Sequence, residues 1–368
     1  MPHPFRILFL SGNAPPAIDG VGDYTDRLLQ ELRRQRPDWS FYWLSRRPRW
    51  FSSPYTRRGG VPLIRPVRTW DSPGSAIAMI RILRPEILHI QEELFSFHET
   101  DAASQIARET HAKVVTTLHE FHSDHPRIAV TMELVRTSQV VIANDPRTAA
   151  RCLSATGRPV DQTLWSGATI LPPALAVRPP IVRDLVVTFG FISALKSLDT
   201  LHEALKAARN SRPNLRWRII GPFEPATNAE HAALWERFRP DSHWIEFTGA
   251  VTDHARLRHL IAEGEAMLLP FADGASTRRG TLQVAWAFGI PVVTTPTDEP
   301  TDAIREGENV LFARETGTWT ENVLRILSDQ ACARDLRKGG LKSAESFSWR
   351  HLSNEHIKFY ENLMRVYK

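Results

Sequence analysis

Short apolar runs alternate with longer amphipathic stretches along nearly the whole chain, and the alternation breaks once, at a proline-rich segment, before it resumes. Ahead of the break the strand-like runs are "RILFL", "SFYWL", "EILHI", "KVVTTL" and "QVVIA", separated by helix-like stretches such as "GDYTDRLLQELRRQ" and "DPRTAARCLSAT". Such alternation predicts βα units on a parallel sheet. The break, "LPPALAVRPPIV", reads as a linker, because clustered prolines cannot continue either element. Beyond it "LVVTFGF", "RWRIIG", "WIEFTGA", "AMLLPF" and "IPVVTT" read as strands of a second parallel sheet, with "SLDTLHEALKAARN" and "DHARLRHLIAEG" as helices. The expected division is a Rossmann-like domain over 1–170, a linker over 171–184 and a second Rossmann-like domain over 185–348. A C-terminal helix over 349–368 is expected to pack back towards the first domain. A chain of 368 residues has the length for two such domains at ~100–200 residues each.

Composition excludes several classes. No apolar run approaches the ~18 residues of a membrane span. "FRILFL" runs straight into "SGNAPP" without a small-residue cleavage site, so it reads as a first strand and not as a signal peptide. Cys152 and Cys332 stand far apart without CxxC spacing, which argues against a disulfide framework or a zinc site and fits a reducing cytoplasm. The net charge of +5 is unevenly spread. Between Trp39 and Trp70 lie Arg46, Arg47, Arg49, Arg57, Arg58, Arg65 and Arg68 with no acid, interleaved with Trp43, Trp50, Phe51 and Tyr55. A patch of this kind attracts phosphate-bearing partners, so segment 43–58 is a candidate for peripheral contact with an anionic inner-membrane face or for an acidic substrate. The competing reading is a solvated loop whose arginines stack on its aromatics. No nucleic-acid-binding pattern accompanies the arginines.

Two stretches look built to hold an anion. In "SGNAPPAIDGVGDYT", after the first strand, Gly20 and Gly22 permit a sharp turn, and the helix that follows points free N–H groups at whatever lies above it. The spacing is not GxGxxG, and dinucleotide binding is disfavoured. In "PFADGASTRRGTLQVAWAFGIPVVTT", Asp273 and Gly274 make a turn, Ser276 is placed to cap a helix, and Gly289 closes it. Arg278 and Arg279 then fall in the first turn, where positive charge opposes the helix dipole unless an anion binds there. Gly280 and Thr281 complete this candidate phosphate site.

These motifs, with "ILHIQEE", "VVTTLHE", "TFGFISALKS", "IEFTGAV", "EGENVLF" and "FSWRHLSNEHIKFYENL", run from end to end, and in this order the chain resembles the family 4 glycosyltransferases. The resemblance implies an α/β chain of GT-B fold, two doubly wound parallel-sheet domains facing across a cleft. It implies a nucleotide-sugar donor on the second domain, a hydroxyl acceptor on the first, and retention of configuration without a metal or other cofactor. Carried over by position, His119 is the active-site histidine, Gly20 and Gly22 are the loop near the donor phosphates, and Lys196 neutralises the departing diphosphate. Where the family has paired glutamates this chain has Ser276 and Val284, and where it has an arginine after "FG" this chain has Phe191. Asp273 is the expected substitute for the first carboxylate, Arg278 and Arg279 for the arginine, and Gln283 is the polar neighbour left for the ribose.

Glu92, Glu93, His98 and Glu120, on loops after first-domain strands, are acceptor candidates able to orient or deprotonate a hydroxyl. The "HEFHSDH" run is not HExxH, and no metal is expected on it. The acceptor itself is not identified by the sequence; lipid-linked and anionic molecules are both compatible with the arginines. Two further readings stay open at this point: an isomerase similar to the nucleotide-sugar 2-epimerases, and a noncatalytic binding subunit of the same fold.

Overall fold

The computed structural model describes residues 5–48, 53–165, 167–193, 196–299 and 301–366. The chain divides into two compact units, Met1–Thr169 together with Ser348–Lys368, and Ile170–Phe347.

In the first unit β1 (Arg6–Ser11), α1 (Gly20–Gln35), β2 (Ser40–Arg46), β3 (Tyr55–Arg58), β4 (Val61–Val67), α2 (Gly74–Leu83), β5 (Ile87–Glu92), α3 (Ala102–Glu109), β6 (Lys113–Leu118), α4 (Ile128–Thr137), β7 (Val140–Ala143), α5 (Pro146–Thr156) and β8 (Gln162–Thr163) follow one another. The sheet order is β3-β4-β2-β1-β5-β6-β7-β8, parallel except where β3 pairs antiparallel with β4. The order reverses at β1, so the loops after β1 and β5 flank the switch point at which such sheets bind ligands. Ile7, Phe9, Ile87 and Val115 face one side of the sheet and Leu8, Leu10, Leu88 and Ile90 the other, which is why these strands are apolar throughout.

The second unit runs β9 (Leu185–Phe189), α6 (Leu198–Arg209), β10 (Arg216–Ile220), α7 (Ala229–Phe238), β11 (Ile245–Phe247), α8 (His254–Ala262), β12 (Ala266–Leu269), α9 (Gly280–Ala287), β13 (Val292–Thr294), β14 (Leu311–Phe312), α10 (Thr316–Ser328) and α11 (Gln330–Ser346). Its sheet, β11-β10-β9-β12-β13-β14, is parallel throughout and reverses at β9 and β12. The proline-rich stretch belongs to this unit: Val182 N–H donates to Glu263 O, and Leu175–Val177 form one 3₁₀ turn.

The last helix, α12 (Trp349–Val366), packs on α1 within the first unit. Trp349 Nε1 donates to Ala168 O at 2.7 Å, and Arg36 pairs with Glu361 at 2.5 Å. Tyr367, where the sequence places the end of this helix, lies outside the described residues. Among the described residues no helix is long and apolar enough to cross a membrane.

One element departs from the sequence reading. Residues 55–67, within the arginine-rich stretch, form the β3–β4 hairpin and not a loop. Gly59 and Gly60 take φ of +54° and +82°, the left-handed pair that a two-residue hairpin turn requires.

Candidate active site

In the second unit the loops after β9 and β12 meet over a glycine. Gly190 has φ +119°, and a β-carbon there would lie 2.8 Å from Lys196 Nζ and 2.9 Å from the Thr281 methyl. Lys196 Nζ donates to Phe189 O at 2.8 Å, which anchors the ammonium at the end of the strand. Burial, with repulsion from Arg279 added, pulls this ammonium down from 10.5 to about 7. Arg278 Nη2 lies 3.2 Å from Asp273 Oδ2, and Arg279 pairs with the other oxygen of the same carboxylate. Two arginines therefore share one carboxylate, and a third cationic side chain, Lys196, lies over Gly190 close enough to feel the charge of Arg279. That arrangement suits a multiply charged anion.

The route to this geometry differs from the one the sequence suggests. Helix α9 begins at Gly280 with Arg279 in the capping position, so Ser276 does not cap it and the two arginines precede its first turn. The cause is Glu299, which is 5 % exposed. Its carboxylate accepts from Thr277 N–H at 2.9 Å and from the Thr277 hydroxyl at 2.8 Å, turning that residue inward before the helix can start. Ser276 is fully buried, as is Val284. Gln283, the polar neighbour left for ribose, is also buried, with its amide donating to Thr277 O at 3.2 Å, and is not presented to a ligand. Gly274, at φ +84°, makes the expected turn against Pro296 O. Phe191 is half exposed beside this corner.

The first unit fills its own glycine corner. Asp19 caps α1, accepting from Gly22 N–H at 2.6 Å, and also takes hydrogen bonds from Asn13 Nδ2 and Ser96 Oγ. A β-carbon on Gly22 would meet Asn13 O at 3.1 Å, so this glycine is required by the chain's own packing; Gly20 is exposed with open space around it. Asp23, one turn on, is lifted to about 6 by burial and by Asp19. This mouth already carries its anion.

His119, after β6, is held at both ring nitrogens: Nε2 against Gln91 Oε1 at 2.9 Å and Nδ1 against Asn144 Nδ2 at 2.7 Å. Tyr24 meets its face edge-on, with ring centres 4.7 Å apart. Burial drives its pKa down to about 3, so the ring is neutral and acts as a fixed hydrogen-bonding wall. Glu92 is 2 % exposed; Oε1 accepts from Thr131 Oγ1 at 3.0 Å, and burial lifts the carboxyl to about 7. Burial also pushes Glu93 upward, but hydrogen bonds from His122 and from the Ser96 N–H outweigh that and hold it below the ordinary carboxylate value. His98 is exposed in a left-handed backbone conformation, φ +55°, and its imidazole is lowered by partial burial and by Arg46. Glu120 is half-buried on the loop after β6.

The three histidines of "HEFHSDH" diverge. His119 faces Gln91 and Asn144, His122 faces Glu93 at 3.1 Å, and His125 faces Glu99 at 3.6 Å. Among the described residues no three His, Cys, Asp or Glu side chains converge as a metal ion would need. Of the clustered arginines, Arg46 reaches Asn13 Oδ1, Arg57 reaches Gly60 O, Arg58 pairs with Asp26 at 2.8 Å, and Arg65 is buried against Thr56 and Pro15. Arg58 with Asp26 and Arg65 with Pro15 join the hairpin to the rest of the first unit. Arg49, Trp50 and Phe51, at the centre of segment 43–58, lie outside the described residues.

Gly190, Glu299, Gln91 and Asn144 did not stand out in sequence. Gly190 and Asn144 end strand-like runs, which is a usable signal in a parallel sheet. Glu299 carried none, since its partner Thr277 is 22 residues away.

The family described as "Glycosyl transferases group 1" matches residues 183–329. The D-inositol 3-phosphate glycosyltransferase of Jonesia denitrificans is 24 % identical over 353 residues, covering 92 % of this chain and 75 % of that protein. Sucrose-phosphate synthase from Thermosynechococcus elongatus superposes with a TM-score of 0.82 at 17 % identity, covering 98 % of this chain and all of that one. Anabaena HepE, solved in complex with UDP-glucose, superposes at 0.75 with 13 % identity, over 97 % of this chain and all of that one.

Proposed function

We propose that this chain of GT-B fold, whose residues 183–329 match the group 1 glycosyl transferases, moves a sugar from a nucleotide-sugar donor to an acceptor hydroxyl, with retention and without a metal. One observation carries this reading: Arg278 and Arg279 share the Asp273 carboxylate, and Lys196, within reach of the Arg279 charge, lies over Gly190. A diphosphate entering there meets fixed cations, and the charge that develops as the glycosidic bond breaks is stabilised without reorganisation. Donor phosphate competes with Asp273 for the arginines, which leaves the aspartate carboxylate to accept from sugar hydroxyls. With three cations of its own, the corner has no electrostatic need for a divalent ion. HepE's complex with UDP-glucose makes UDP-glucose the first donor to try.

We assign the acceptor to the first unit, where Glu93 and Glu120 are half-buried on the loops after β5 and β6 and the neutral His119 forms a dry wall. UDP should bind in calorimetry, and UDP-glucose with a suitable acceptor should give a product whose anomeric configuration, read by NMR, matches the donor's and whose yield survives a chelator. An inverted product or chelator-sensitive turnover would correct those two details. Incubation of donor alone separates transfer from isomerisation, because an isomerase releases a new sugar without any acceptor.

A further inference from the structure

The first unit carries a second constellation, on the loops after β5 and β6. Phe95 is 49 % exposed, large and apolar, on a loop whose other aromatic, Phe97, is buried. His122 and His125 stand edge-on to it, with ring centres 4.9 and 5.4 Å away at 70° and 88°. Behind each histidine is a carboxylate, Glu93 for His122 and Glu99 for His125. A half-exposed aromatic ring set among polar groups offers apolar surface to solvent with hydrogen-bonding partners at its rim.

The histidines of these loops are not equivalent. His119 has both nitrogens on protein groups, and His125 accepts from Arg127 N–H at Nδ1 while its Nε2 faces Glu99. His122 differs. Its Nε2 lies 3.1 Å from Glu93 Oε1, so in the neutral ring Nε2 donates to that carboxylate and Nδ1 keeps the lone pair. Among the described residues Nδ1 of His122 has no protein partner, and the side chain is 22 % exposed. A lone pair on a ring fixed by a carboxylate, next to an exposed aromatic face, fits a hydroxyl attached to a ring of C–H groups.

We propose that this is the acceptor subsite and that the acceptor is a neutral saccharide or cyclitol ring. Its C–H face stacks on Phe95 and one of its hydroxyls donates to His122 Nδ1. Glu93 and Glu99 flank the platform and repel an anionic group placed on it. The inference rests on the transfer reading only for the word acceptor; the binding itself can be measured without a donor.

Saturation-transfer NMR on the full chain, with methyl α-glucopyranoside, methyl α-mannopyranoside, methyl N-acetyl-β-glucosaminide and myo-inositol as probes, tests it. At least one probe should receive saturation mainly on the C–H protons of one face. Phe95→Ala should weaken that probe at least fivefold, Phe95→Tyr should restore it, and His122→Ala should weaken it about threefold. UDP affinity should stay unchanged in all three variants. Absence of binding by every probe, or equal binding by the parent and Phe95→Ala, overturns the subsite. A chain that binds a probe but not UDP removes the donor reading and leaves this one standing; UDP binding with no probe bound does the reverse.

Discussion

The corners after β1 and after β12 share a sequence style, with glycine, aspartate and small residues ahead of a helix, yet they end with opposite charge. In the first unit Asp19 closes the helix terminus with its own carboxylate, and Asp23 and Asp26 follow on the same helix. In the second, one aspartate stands against Arg278, Arg279 and the nearby Lys196. A capped terminus has no remaining need for an anion, whereas a corner where cations cluster attracts one. A helix start after a strand is therefore an incomplete signal for a phosphate site. What decides it is whether the chain supplies its own anion, and how much cationic charge is left over.

Breaking the cationic corner should have the largest effect. Lys196→Ala should reduce turnover by about 10²–10³-fold with little loss of thermal stability, measured by steady-state kinetics beside a melting curve. Unchanged turnover would remove Lys196 from the site. Next, Arg278→Ala with Arg279→Ala should weaken UDP by about 10–100-fold in calorimetry, while Asp273→Asn should tighten it several-fold by withdrawing the competing carboxylate. A weaker affinity in Asp273→Asn would show that this aspartate holds the arginines in place for phosphate and does not compete with it.

The first unit should reveal itself through pH. Glu92 titrates near 7 in the fold against 4.5 ordinarily, so between those values the folded chain keeps a proton that the unfolded chain has released. Stability from this group is full below about 4.5 and is lost as pH rises through 7. Glu92→Gln should flatten that decline by roughly 1–3 kcal/mol in urea titrations. His119 contributes with the opposite slope, gaining stability from pH 3 to 6.5, but does so equally in both proteins and cancels in the difference. The smallest change sharpens the comparison most directly. Asp19→Ala should cost about 1 kcal/mol through the lost cap and leave UDP affinity untouched.

Much of this molecule could be read in advance because parallel strands buried on both faces must be apolar along their length, and β1, β5, β6, β9 and β12 are. The Asp273–Arg279 stretch drew attention because it follows such a strand, and Lys196 because of the family resemblance of "ALKS". The start of α9 was misplaced because Glu299, from a later loop, holds Thr277. The hairpin over 55–67 escaped notice since its arginines looked like a surface patch, whereas Arg58 and Arg65 reach Asp26, Thr56 and Pro15.

By itself, then, the sequence determined the local and periodic features: which segments become buried strands and which residues end up at the strand ends. Only the tertiary structure decided the charge state and partners of those residues. Hydrogen bonds such as Asp19 to Ser96, His119 to Asn144 and Glu299 to Thr277 join positions 22 to 77 residues apart. Burial then shifts each proton affinity by an amount that depends on everything packed around the group. Neither the partner nor the burial is a property of a residue's neighbours in sequence, and both fix what a side chain can do to a ligand.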